Sequence, residues 1–155
     1  IRKMDQKKVN GFVLFNRFFE PEIDIDQEDH KFPFNLSREG DHKMPLRYAG
    51  LLYNNIEGDV CSSTGIFDGQ DVIKMILAGA DCVQTVSSIY VNKIGHLTKM
   101  LQDIEKWMDK KGYSSLDDFR GKLSRARVSN PFVYKRAQYV DILMNPEEII
   151  KQYMF

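Results

Sequence analysis

Three short apolar runs, each followed by a segment of helical periodicity, constrain this chain more than any other feature. Phe12-Val13-Leu14-Phe15 is rich in strand formers, and polar groups arrive abruptly at Asn16-Arg17. A second run opens at Val60-Cys61 and leads into Ser62-Ser63-Thr64-Gly65-Ile66. The third is Cys82-Val83-Gln84-Thr85-Val86, followed by Ser87-Ser88. Short continuous apolar runs read as strands buried on both faces, the pattern of a parallel sheet. Strands are therefore expected over 12–16, 60–63 and 82–86.

Helices fill the intervals. Pro45 opens one, since proline suits the first helical turn, with Leu46, Ala49 and Leu52 or Tyr53 on one face. Another covers 69–79, with Val72, Met75 and Ile76 buried and Gly79 as its stop. The clearest pattern follows the third run: Leu97, Met100, Leu101, Ile104, Trp107 and Met108 recur with the 3.6-residue period of one buried face. Gly112 ends it, and Ser114 or Ser115 caps a short helix carrying Leu116 and Phe119. Beyond Asn130, Pro131 and Pro146 start one or two more helices. Strand–helix alternation means α/β architecture. Two solutions compete, an open doubly wound sheet and part of a (β/α)8 barrel. A whole barrel takes about 250 residues, and the 155 residues here supply three clear β/α units.

Composition narrows the function. The 22 basic and 22 acidic side chains give a formal net charge of zero, which argues against a nucleic-acid partner held by bulk electrostatics. No apolar run approaches the roughly 18–20 residues of a membrane span, and no apolar signal segment follows Ile1-Arg2-Lys3-Met4. No membrane association is expected. Cys61 and Cys82 both sit in strand-like runs, the usage of a reducing compartment, so a cytoplasmic location is expected. The first residue is not Met, and residues 1–9 read as a helix end entering a strand at Asn10-Gly11. The expectation is a fragment of a longer chain.

The chemistry concentrates in two turns of small residues at the ends of successive strands, Ser62–Ile66 and Thr85–Ser88. In barrels, the loops after strands seven and eight commonly hold a phosphate on backbone N–H groups and the N-terminus of a short extra helix. Residues 88–94 suit that helix. Ordinary β-to-α turns use the same small residues. Asn16 can donate and accept at once, which suits a heterocycle edge or a flavin ring, although it can equally turn the chain. Arg17 can meet an anionic ligand or a nearby acid. Other features point to structure. His30, His42 and His96 lack metal-ligand spacing, and Cys61 and Cys82 are too far apart for a CxxC site, so no metal site is expected. The acidic stretch Glu20 to Asp29 lacks the glycine and terminal glutamate of a calcium loop and reads as a solvated loop. It belongs to a long connection from Phe18 to about Lys43. Trp107 reads as core.

Gly11-Phe-Val-Leu-Phe-Asn-Arg-Phe18, Ser63-Thr-Gly-Ile-Phe-Asp-Gly-Gln-Asp-Val-Ile-Lys74, Leu77-Ala-Gly-Ala-Asp81, Val83-Gln84 and Gly112-Tyr-Ser-Ser-Leu-Asp-Asp-Phe-Arg-Gly-Lys122 together resemble the C-terminal half of dihydroorotate dehydrogenases. The Leu-Phe-Asn-Arg-Phe form is closest to the dihydroorotate dehydrogenase-like branch. The resemblance covers roughly residues 10–124 and implies strands six to eight of an FMN-binding (β/α)8 barrel. A helical extension would then occupy 125–155. It implies FMN phosphate contacts from Thr64, Gly65, Ile66, Ser87 and Ser88, and a flavin and substrate contact from Asn16. Two family glycines are replaced, by Thr64 and Val86, whose side chains must then turn away from the phosphate. The implied reaction is oxidation of dihydroorotate to orotate in pyrimidine synthesis. Its catalytic base and a lysine near the flavin lie upstream in the family, so no catalytic residue is expected here and the segment alone should be inactive.

The implied partners are a small-molecule substrate and either the N-terminal half of the barrel or a second chain, including a homodimer. One alternative is a catalytically silent half-barrel that serves assembly, because open strand edges demand pairing. Another is a different FMN or sugar-phosphate barrel that keeps the phosphate site without the Asn16 role.

Overall fold

The computed structural model describes residues 1–17, 21–31 and 36–134. A short helix α1 (Arg2–Asp5) precedes strand β1 (Gly11–Leu14) and a hairpin of β2 (Glu22–Asp24) and β3 (Asp29–Lys31). Then come α2 (Lys43–Leu52), β4 (Asp59–Ser63), α3 (Gly69–Ala78), β5 (Cys82–Gln84), α4 (Ser87–Asn92) and α5 (His96–Lys111). Two 3-10 turns follow, Leu116–Asp118 and Pro131–Tyr134. The expected helix start at Pro146 lies outside the described residues.

The sheet runs in the order β1-β4-β5 and both pairings are parallel. Phe12 pairs with Val60, Leu14 with Ser62, and Ser62 with Val83. One face carries the core. Phe12, Leu14 and Val60 pack with Ala49 and Leu52 of α2, Met75 and Ala78 of α3, and Met100 of α5. Helices on a single face of a parallel sheet, with each turn after a strand at one common edge, position everything that follows.

Burial on both faces does not hold for β1. Its residues alternate, and Val13 is 58% exposed between buried Phe12 and Leu14. Cys82 and Gln84 are exposed on the same side, because nothing among the described residues covers that face. The acidic stretch is not a plain loop either. Residues 22–31 close into the antiparallel β2–β3 hairpin, with the Asp24 carboxylate accepting from the N–H groups of Asp26 and Gln27 across the turn.

The ends of α3 and α5 follow local chemistry. The Asp68 carboxylate caps α3 by accepting from the Asp71 N–H at 2.9 Å. At the other end, Gly79 and Ala80 donate back to the Ile76 and Met75 carbonyls, the double closure that glycine past a helix end permits. Gly112, at φ +72°, ends α5 the same way, with Tyr113 donating to Met108. A second cluster joins Ile73, Ile76, Ile104 and fully buried Phe119. Half-buried Trp107 lies edge-on to Phe119 at 4.9 Å between ring centres.

The expected face of α5 needs rotating. Met100 and Ile104 are buried, but Leu101 is 61% exposed. The cause is the crossing with α3 at Gly69. A Cβ there would come within 2.7 Å of the Asp103 Cβ and of the Met100 carbonyl oxygen. That contact centres the helix on Met100, Asp103 and Ile104, and swings Leu101 toward solvent.

Candidate functional site

The turns after β4 and β5 lie side by side at the C-terminal edge of the sheet, next to the end of β1. They enclose a cavity of about 270 Å³ lined by Asn16, Arg17, Leu36, Ser37, Ser63, Thr64, Gly65, Ile66, Gln84, Thr85, Val86 and Ser87. A smaller recess of about 130 Å³ adjoins it and shares Asn16, Arg17 and Thr64. Of the six residues expected here, five therefore meet in one space. The sixth, Ser88, does not line it. Its hydroxyl is fully buried and donates to the Phe67 carbonyl at 2.8 Å.

The first turn has a backbone that glycine favours. Thr64 sits at φ +80° and Gly65 at φ +72°, the left-handed region that costs a β-branched residue steric strain. Thr64 stands where the resemblance expects glycine, and it keeps glycine's conformation. Its hydroxyl donates to the Phe15 carbonyl at 2.5 Å, which ties the turn to the end of β1. Gly65 is required for a second reason. A Cβ there would lie 2.4 Å from the His42 backbone nitrogen.

The turn is braced from below. Asp71, buried at the start of α3, accepts from the Phe67 N–H at 3.0 Å and from Lys74 at 2.9 Å, with His42 Nδ1 3.6 Å away. His42 also donates to the Gly65 carbonyl, and His96 donates to that of Phe67 at 2.8 Å. Burial acts to raise the Asp71 pKa, yet Lys74, the Phe67 N–H and His42 together hold the carboxyl below its ordinary range. His96 therefore shapes the turn from outside the cavity. The second turn is fastened by Thr85, whose hydroxyl donates to the Ile66 carbonyl at 2.8 Å.

Ser37 and Leu36 were not legible as site residues, because they lie in the long connection without a pattern of their own. Ser37 donates to the Ser87 hydroxyl from its N–H at 3.0 Å and from its own hydroxyl at 2.7 Å. Arg17 donates to the Leu36 carbonyl and lies 3.6 Å from Asp41, so its charge stands in the cavity wall. The N–H groups of Gly65, Ile66, Ser87 and Ser88 have no acceptor among the described residues. A pocket with free N–H donors on two small-residue turns, a hydroxyl and a guanidinium suits an oxyanion such as phosphate.

No protein-family model matches the chain. Among curated proteins, it is 34% identical over 65 residues to dihydroorotate dehydrogenase (fumarate) of Lachancea kluyveri, spanning 42% of this chain and 21% of that one. It is 34% identical over 64 residues to dihydroorotate dehydrogenase A (fumarate) of Lactococcus lactis, spanning 41% and 21%. Putative dihydroorotate dehydrogenase A (fumarate) of Streptococcus uberis is 31% identical over 88 residues, spanning 54% and 28%. The chain thus spans about a fifth to just over a quarter of the length of these relatives. Two solved structures of DHODH from Eimeria tenella share the fold at 17% identity. The complex with ferulenol gives a TM-score of 0.61 over 76% of this chain and 32% of that one. The ligand-free form gives 0.62 over 77% and 35%. The resemblance to dihydroorotate dehydrogenases carried by the motifs is thereby established for this part of the chain, as is an α/β fold with a parallel sheet of their kind. Among the described residues, no helix is long and apolar enough to cross a membrane.

Proposed function

We propose that residues 1–124 form the C-terminal part of an FMN-binding (β/α)8 barrel, with β1, β4 and β5 as its strands six, seven and eight, and that 125–155 extend it. The whole protein would be an FMN-dependent oxidoreductase of the dihydroorotate dehydrogenase type, acting on dihydroorotate or a close analogue in the cytoplasm. The observation that carries this reading is the convergence of two small-residue turns and Asn16 on one cavity, in a chain similar in sequence to those enzymes. The exposed row of Val13, Cys82 and Gln84 fits a sheet completed by further strands, from an upstream half or a second chain.

The residues present fit the phosphate of FMN. Free N–H groups of Gly65, Ile66 and Ser87 would hold its oxygens, and Arg17 would offset its charge. The Ser87 hydroxyl accepts twice from Ser37, which leaves its own hydrogen to donate into the cavity. Thr64, whose hydroxyl is engaged with Phe15, would present only its backbone to the phosphate. Val86 is exposed at the rim and contributes no polar atom. Ser88, buried against the Phe67 carbonyl outside the cavity, would make no contact with the phosphate. Asn16, exposed at the end of β1, offers an amide that can donate to one edge of a ring and accept from another. Bound FMN would supply the hydride acceptor, and the base that removes the substrate proton would come from the upstream strands.

The test is an anaerobic absorbance spectrum of the purified full-length protein before and after dihydroorotate. Flavin bands that bleach on addition support the reading. A full-length protein that neither retains nor takes up flavin overturns it.

A further inference from the structure

The peptide between Gly65 and Ile66 is bonded at one end only. Its carbonyl meets Nδ1 of His42 at 3.3 Å, and no backbone N–H donates to that oxygen among the described residues. Its other end, the Ile66 N–H, has no acceptor among them, although Ile66 is only 2% exposed. A buried N–H is costly to leave unpaired, so this one marks a place for a ligand atom. The peptide is trans, and a trans peptide points its carbonyl and its N–H in opposite directions. Ile66 lines the cavity and His42 does not. A carbonyl drawn toward His42 therefore turns the Ile66 N–H toward the cavity. The following peptide gives the contrast, with both ends bonded inside the protein: the Ile66 carbonyl accepts from Thr85, and the Phe67 N–H donates to Asp71.

We propose that His42 is a positioning residue for a bound phosphate. By holding the Gly65 carbonyl, it fixes the tilt of the Gly65–Ile66 peptide and aims the Ile66 N–H at the anion. The inference rests on reading this cavity as the FMN phosphate site. The surroundings of His42 suit the role. Its ring nitrogen Nδ1 faces two acceptors, the Gly65 carbonyl and, at 3.6 Å, a carboxylate oxygen of Asp71. A lone pair there would be repelled by both, so the ring proton sits on Nδ1. The side chain is 14% exposed, and the Gly65 backbone packs directly on that of His42, which leaves the ring little freedom. His42 itself touches no phosphate oxygen. It acts through one peptide plane.

The test titrates the full-length protein with FMN and with riboflavin, which lacks the phosphate, and takes the ratio of the two affinities. His42→Leu removes the donor and keeps comparable bulk. It should lower the preference for FMN by about threefold or more, part of the roughly tenfold that one hydrogen bond to a charged group is worth, with riboflavin affinity unchanged. His42→Asn places an amide N–H where Nδ1 stood and should restore the preference, which a merely structural loss would not allow. A native preference for FMN that survives in His42→Leu, equal losses for both flavins, or an asparagine variant no better than the leucine one would overturn this inference and leave the phosphate reading standing. A native protein without any preference would overturn both. One measurement needs no variant: nitrogen NMR of the native His42 ring, above the usual imidazole titration range, should find the proton on Nδ1. A neutral ring protonated on Nε2 would overturn the proposal.

Discussion

The phase of α5 can be read out by a pair of neighbouring truncations. Met100 is 3% exposed and sits in the main core with Met75, Ala78 and Ile66, whereas Leu101 is 61% exposed. Removing a buried methionine side chain to alanine costs about 2–5 kcal/mol, through lost transfer energy and the cavity left behind. At about 2–4 °C per kcal/mol for a chain of this size, Met100→Ala should lower the melting temperature by roughly 4–20 °C. Leu101→Ala removes little buried area, and alanine is the better helix former by a few tenths of a kcal/mol, so its change should stay within about 0.5 kcal/mol. Urea unfolding followed by the fluorescence of Trp107, the single tryptophan, measures both, with unchanged slopes certifying that only stability moved. Equal losses for the two variants, or a larger loss for Leu101→Ala, would show that the Gly69 crossing does not set the helix phase.

Further outcomes follow from single residues. Phe119→Ala, which empties a fully buried ring site beside Trp107, should cost about 3–5 kcal/mol and shift the tryptophan emission. The Ser62 hydroxyl is buried with no partner among the described residues, so Ser62→Ala should leave stability unchanged or raise it by about 1 kcal/mol in the same denaturation assay. Gly121→Ala should destabilise by more than about 1 kcal/mol, since its φ is +68° and a Cβ would meet the Tyr53 ring at 2.3 Å. The Asp71 carboxyl lies below its unfolded value of 3.8. Its contribution is therefore present above that pH and lost as pH falls through the lower folded value. Asp71→Asn should be less stable than the native chain at neutral pH, with the gap closing in acid. A gap that is constant with pH would count against the carboxylate's role.

Strand and helix order was legible because apolar runs and 3.6-residue periods are local signals, and the parallel sheet followed from them. The turns at 64–66 and 85–88 were legible for a similar reason, since close backbone approach demands small residues. What stayed hidden depends on long-range packing. Val13 reads as buried in sequence, yet its exposure depends on what covers the second sheet face. Leu101 fits the helical period, and only the Gly69 contact tells which side of that stripe turns inward. Ser37 carries no pattern, and its place beside Ser87 arises from a loop folding across 50 residues of chain. The bracing of the first turn by Asp71, His42 and His96 was invisible for the same reason.

Gly65 is a poor probe of the phosphate site, because its substitution would also drive a Cβ into the His42 backbone. The direct measurement compares the affinity of the protein for FMN and for riboflavin, which lacks the phosphate, by flavin fluorescence titration, in the native chain and in Ser87→Ala. Phosphate held by the two turns predicts that FMN binds at least about tenfold more tightly than riboflavin, a difference of about 1.4 kcal/mol, and that Ser87→Ala narrows this gap while leaving riboflavin unaffected. Equal affinity for the two flavins in the native protein would contradict the account.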